Sequence, residues 1–89
     1  MIEKTLTLKN KLGLHARAAA KLVQVTEKFK SDIKIVKDNV EADGKSILGV
    51  LLLAAPVGSE ITFKVEGEDE QEAIKAIEDL IEDKFGEEE

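Results

Sequence analysis

There is no cysteine in these 89 residues, so neither a disulfide nor a thiolate metal site is available. There is one histidine, and a zinc site would need further nitrogen or sulfur ligands to complete it. Tyrosine and tryptophan are absent and the net charge is −6. Without basic–aromatic alternation, nucleic acid is a poor partner for such a chain. Long hydrophobic runs are missing as well. The longest, Ile47 to Pro56, is broken by Gly49 and is too short to span a bilayer. Met1-Ile2-Glu3-Lys4 enters a strand-like pattern directly, without the form of a signal peptide. The expectation is one soluble, cytoplasmic domain over residues 1–89 with a modest core and no membrane insertion. Its acidic tail, residues 86–89, is expected to be frayed and solvated.

What is present is unevenly charged. Residues 1–37 hold nine Lys/Arg against three Asp/Glu, whereas residues 38–89 hold four against sixteen. The basic part contains the histidine and would attract an acidic or phosphorylated partner, less so in salt. Solvated outer faces account for most of the other charges.

The hydropathy pattern divides the chain into seven elements. Glu3 to Leu8 alternates, with Leu6 and Leu8 on one face and Thr5 and Thr7 on the other, which predicts a half-buried strand. Ala16 to Phe29 carries Ala19, Leu22, Val23 and Thr26 at helical spacing. Asp32 to Val36 alternates again, Asp38-Asn39 signals a hairpin, and Val40 to Ala42 is a short return strand. Ser46 reads as the N-cap of a helix over Ile47 to Ala54, ended by Pro56 and Gly58. Glu60 to Glu66 is a further strand. Asp69, with Glu72 three residues on, resembles a capping box for a last helix that places Ala73, Ile74, Ile77, Leu80 and Ile81 on one face. The order β-α-β-β-α-β-α, with each strand apolar on one face, predicts an α+β fold: an antiparallel sheet with helices on one side and water on the other.

Chemistry concentrates in Gly13-Leu14-His15-Ala16-Arg17-Ala18-Ala19-Ala20, after the polar loop Lys9-Asn10-Lys11. His15 reads as the first residue of a helix, where free backbone N–H groups and the positive end of the dipole suit an anion. Imidazole is a competent nucleophile near neutral pH. The N–H groups of Ala16, Arg17 and Ala18, with the Arg17 guanidinium as a second clamp, could receive a phosphoryl group. A surface histidine near a helix start with no role fits the spacing equally well.

In Gly44-Lys45-Ser46, a phosphate-binding loop would need a glycine where the chain has Asn39. The helix after it is too apolar to bury every side chain, so some of Ile47, Leu48, Leu51 and Leu52 are expected to be exposed as a docking patch. A phosphate on Ser46 would be tolerated at that helix start and would place about two negative charges beside the patch. Unmodified N-cap serines are the commoner case. The acid-rich run Glu66 to Glu72 lacks the ligand spacing of a calcium loop, and first-turn carboxylates that favour the helix dipole account for it.

Three blocks, Gly13-Leu14-His15-Ala16-Arg17 with Ala19, Lys45-Ser46-Ile47-Leu48-Gly49-Val50, and Gly58-Ser59-Glu60-Ile61 leading to Gly67-Glu68-Asp69-Glu70, together resemble HPr. That family is the histidine-containing phosphocarrier of the bacterial phosphoenolpyruvate-dependent sugar phosphotransferase system. The resemblance covers essentially the whole chain. It implies an open-faced sandwich with strand order 1-4-2-3. It also implies a monomer that is a substrate of partner enzymes rather than an enzyme, with no cofactor beyond a covalently carried phosphoryl group and no metal.

By that resemblance, His15 takes the phosphoryl group on Nδ1 from Enzyme I, Arg17 assists, and IIA domains of sugar permeases receive it. Ser46 becomes a target of an HPr kinase/phosphorylase, with a catabolite-control transcription regulator as a further partner. Ile47, Leu48, Leu51 and Leu52 belong to the docking helix.

Two residues depart from the family pattern. Ala18 stands where the family usually has proline, which restores an N–H and keeps the helix. Leu52-Leu53 is bulkier than usual, which could adjust partner choice. A regulatory relative in carbon or nitrogen control, acting mainly through Ser46-dependent docking, is the alternative. In the known carbon-control relative the histidine is replaced, whereas His15 and Arg17 are both present here. A plain ferredoxin-like structural domain would leave these features as coincidences.

Overall fold

In the computed structural model, residues 1–87 are described. The strands are β1 (Ile2–Thr7), β2 (Asp32–Lys37), β3 (Val40–Asp43) and β4 (Glu60–Glu66). The helices are α1 (Ala16–Thr26), α2 (Ile47–Leu52) and α3 (Glu70–Glu82), with a 3₁₀ turn, Lys84–Gly86, after them. The sheet order is β1-β4-β2-β3, antiparallel throughout. This is the α+β open-faced sandwich that the resemblance implies.

The period-2 pattern sends Ile33, Ile35, Ile61, Phe63 and Val65 to one face, where they pack with Ala19 and Leu22 of α1 and Ala73, Ile77 and Ile81 of α3. The other face is polar. Across it the register lines up Glu3, Lys64, Lys34 and Asp43, so two adjacent lysines are flanked by acids on the outer strands. Thr5 and Thr62 share a 2.8 Å hydroxyl hydrogen bond on the same face. The hairpin residues Asp38 and Asn39 have φ of 50° and 68°, the pair of positive values that a two-residue turn needs to match strand twist.

Several boundaries differ from the sequence expectation, each for a tertiary reason. α1 stops at Thr26 rather than Phe29. The Thr26 hydroxyl is buried and donates to Gly44 O at 2.7 Å, and the amides of Lys28 and Phe29 close tighter i−3 turns. α2 stops at Leu52, before Pro56 or Gly58 can act. Leu53 is drawn into the core, and Ala54 turns left-handed with φ 50°.

No capping box forms at α3. The Asp69 side chain accepts from Ser31 Oγ (2.5 Å), Lys30 N (2.8 Å) and Ser31 N (3.0 Å) instead, while Glu70 takes Gly67 N. These bonds, Ser31 Oγ foremost and then Lys30 N, hold the Asp69 carboxyl below its ordinary value of 3.8. A carboxyl lowered in the folded state stabilises the fold above its unfolded value, and that contribution disappears as pH falls through the lowered one. Asp69→Asn should therefore lower the urea midpoint at neutral pH. The gap to wild type should close on acidification below the ordinary carboxylate range.

Candidate functional site

The loop Leu8–His15 is built around a residue that the sequence made look like solvent-facing polarity. Asn10 is fully buried. Its Nδ2 donates to Gly13 O at 2.7 Å, while Gly13 N donates back to Asn10 O at 3.1 Å. Gly13 has φ +65°, which an L side chain rarely adopts. The loop is tied to the segment after α2 by Leu14 N to Ala55 O at 2.9 Å and Gly58 N to Leu8 O at 2.9 Å. Leu14 is buried. His15 is thereby presented at the start of α1 by a braced turn.

His15 is the N-cap of α1, one position before the first helical residue, with φ −79° and ψ 179°. Its carbonyl accepts the first helical bond, from Ala19 N at 2.8 Å, so the N–H groups of Ala16, Arg17 and Ala18 have no acceptor within the helix. Ala16 and Arg17 are exposed and Ala18 is buried. The first turn of α1 contains no acidic residue that would compete for an anion. Arg17 makes no hydrogen bond to the imidazole among the described residues.

The imidazole does have a partner. Nε2 of His15 lies 2.5 Å from Glu87 Oε2, with the two side chains 26% and 7% exposed. Asn10 Nδ2 holds the other Glu87 oxygen at 3.2 Å. This corrects the expectation of a frayed and solvated tail. Gly86 ends an ordered turn and Glu87 docks on the histidine, because Phe85 is buried and Lys21 Nζ donates to Phe85 O at 2.6 Å. Residues 88 and 89 of the expected tail lie outside the described residues.

Ser46 caps α2, accepting from Gly49 N at 3.0 Å. Ile47, Leu48 and Leu52 are exposed, the last two at about 70% (68% and 72%). Leu51, the fourth residue of the expected docking set, is partly exposed and packs on the core. Leu53 is buried. Leu12 and Val57, from the two segments joined by the Leu14–Ala55 and Gly58–Leu8 bonds, are exposed apolar side chains that the sequence pattern did not single out.

Four antiparallel strands in this order, backed by helices on one face and with a histidine capping the first helix, define one kind of open-faced sandwich. The chain belongs to the HPr family of phosphocarrier proteins. The family model described as PTS-HPr, PTS HPr component phosphorylation site, matches residues 2–83. Phosphocarrier protein HPr of Cupriavidus necator is 48% identical over 87 residues, 98% of each chain. HPr-like protein Crh of Halalkalibacterium halodurans is 48% identical over 77 residues, 86% of this chain and 92% of that one. The crystal structure of HPr-C-His from Thermoanaerobacter tengcongensis superimposes with a TM-score of 0.96 at 52% identity, covering both chains completely. Among the described residues, no helix is long and apolar enough to cross a membrane.

Proposed function

We propose that this chain carries phosphoryl groups in a phosphoenolpyruvate-dependent sugar phosphotransferase system. His15 accepts the group on Nδ1 from phosphorylated Enzyme I and gives it to IIA domains of sugar permeases. The observation that supports this most is the placement of a part-exposed His15 as N-cap of α1, followed by Ala16, Arg17 and Ala18 with N–H groups unused by the helix. These amides and the helix dipole favour an incoming anion. Arg17, exposed two residues after His15, supplies a charged donor once that anion arrives. Exposed Ile47, Leu48 and Leu52 give partner proteins an apolar surface.

Ser46 adds a second layer of control to this reading. A phosphate placed there by an HPr kinase/phosphorylase retains acceptor oxygens for Gly49 N and puts two negative charges against Ile47 and Leu48. It would bias docking, including to a catabolite-control regulator, without unfolding α2.

The test is intact mass after incubation with phosphoenolpyruvate, magnesium and Enzyme I, repeated after mild acid. One acid-labile phosphate adduct, absent from a folded His15→Ala variant, is the expected result. Wild-type adduct levels in His15→Ala overturn the assignment of His15. An adduct that is acid-stable and forms only with ATP and an HPr kinase favours the Ser46-controlled regulator.

A further inference from the structure

The two nitrogens of His15 are in different surroundings. A carboxylate accepts hydrogen bonds and does not donate them, so the 2.5 Å contact with Glu87 Oε2 puts a proton on Nε2. In the neutral ring the lone pair is then on Nδ1. Among the described residues, Nε2 is the only atom of the ring that makes a hydrogen bond.

Glu87 is well placed to hold this arrangement. Its side chain is only 7% exposed. Its second oxygen is fixed by Asn10 Nδ2 at 3.2 Å, and Asn10 is itself fully buried and tied to Gly13 O. The backbone behind it is anchored by buried Phe85 and by Lys21 Nζ on Phe85 O. The same asparagine therefore shapes the turn that presents His15 and orients the carboxylate that meets the ring.

We propose that Glu87 is a positioning residue for phosphoryl acceptance, holding His15 in the Nε2–H tautomer so that the Nδ1 lone pair is the attacking atom. This rests on the phosphocarrier reading above. The Nδ1 lone pair forms a new P–N bond as the bond from phosphorus to the donor enzyme breaks, and the breaking bond's electron pair returns to the donor. The His15 ring keeps its Nε2 proton and gains a positive charge, which the Glu87 carboxylate offsets from the opposite side. Onward transfer returns the P–N electron pair to Nδ1, and the ring is neutral again. A buried carboxylate on the far nitrogen of a reactive histidine plays the same orienting and charge-offsetting part in hydrolytic triads.

The test combines ¹⁵N spectra of the His15 ring with initial rates of phosphoryl acceptance from phosphorylated Enzyme I. It uses wild type, Glu87→Ala and Glu87→Gln, with unfolding midpoints measured alongside. In wild type the neutral ring should show Nε2–H alone. Glu87→Ala should show a measurable Nδ1–H fraction and a rate lower by about tenfold or more, the scale on which orienting partners of histidine are felt. Glu87→Gln retains an oxygen acceptor without the charge and should recover the tautomer but only part of the rate. A Glu87→Ala ring indistinguishable from wild type, or an unchanged rate in that variant, overturns the inference while the carrier reading stands. Wild type that accepts no phosphoryl group overturns both.

Discussion

Gly13→Ala is expected to unfold the protein at markedly lower urea and to slow phosphoryl acceptance together. At φ +65° an alanine adopts the left-handed conformation at a cost of roughly 1–2 kcal/mol. The added methyl group also has nowhere to go. It would collide with Ala55 O and sit 2.9 Å from Pro56 Cα, and overpacking against backbone costs about 1–3 kcal/mol more. Ala55 O is the acceptor of Leu14 N, so relief of the collision separates the bond that braces the residue before His15. A domain of this length is stable by on the order of 5–10 kcal/mol, so the variant should stay folded at 25 °C with much of its margin gone. Two measurements check this: a urea titration, and hydrogen exchange at the Leu14 amide, which should lose protection. A wild-type midpoint with a protected Leu14 amide would mean that the loop accommodates a side chain without moving.

The turn that Gly13 makes was only partly legible in the sequence. The strands were legible because alternation is a local signal, and Leu6, Ile33, Ile35, Ile61, Phe63 and Val65 face inward as their period requires. The Asp38-Asn39 turn was legible because few residues tolerate two successive positive φ values. His15 and Ser46 stood out because helix starts have residue preferences.

Contacts made across long chain separations were not legible. Asn10 sits between two lysines and reads as loop polarity, yet its Nδ2 donates to Gly13 and Glu87, 77 residues away in the second case. Asp69 has the spacing of a cap, but the free amides of Lys30 and Ser31 compete for it and win. Phe85 did leave a trace. It continues the stripe Ile74, Ile77, Ile81 at a further four residues, and extending that stripe beyond the end of α3 would have brought the tail onto the core. Once Phe85 is buried, Glu87 is two residues from the anchor and cannot be far from α1.

Phe85→Ala should accordingly have a double effect, one part on stability and one on the site. The ring is 1% exposed, and truncating a buried phenylalanine costs about 3–5 kcal/mol. Lys84 and Phe85 both have left-handed φ, 55° and 57°, a conformation that burial of the ring offsets. With the ring removed that offset is lost, and the last turn should leave the core. Lys21 then loses Phe85 O, and Glu87 loses its hold on His15 Nε2. Phe63→Ala separates the two effects. Phe63 is equally buried, in the middle of β4, so its truncation should lower the urea midpoint by a comparable amount while the Glu87 contact persists. The His15 ring nitrogens, read by ¹⁵N shifts where both variants are mostly folded, should move in Phe85→Ala and stay at wild-type positions in Phe63→Ala. Ring nitrogens that stay at wild-type positions in Phe85→Ala as well would mean that the last turn holds Glu87 on the histidine without Phe85. A shift confined to Phe85→Ala would make this single buried ring the link between the stability of the C-terminal turn and the protonation geometry of the only histidine.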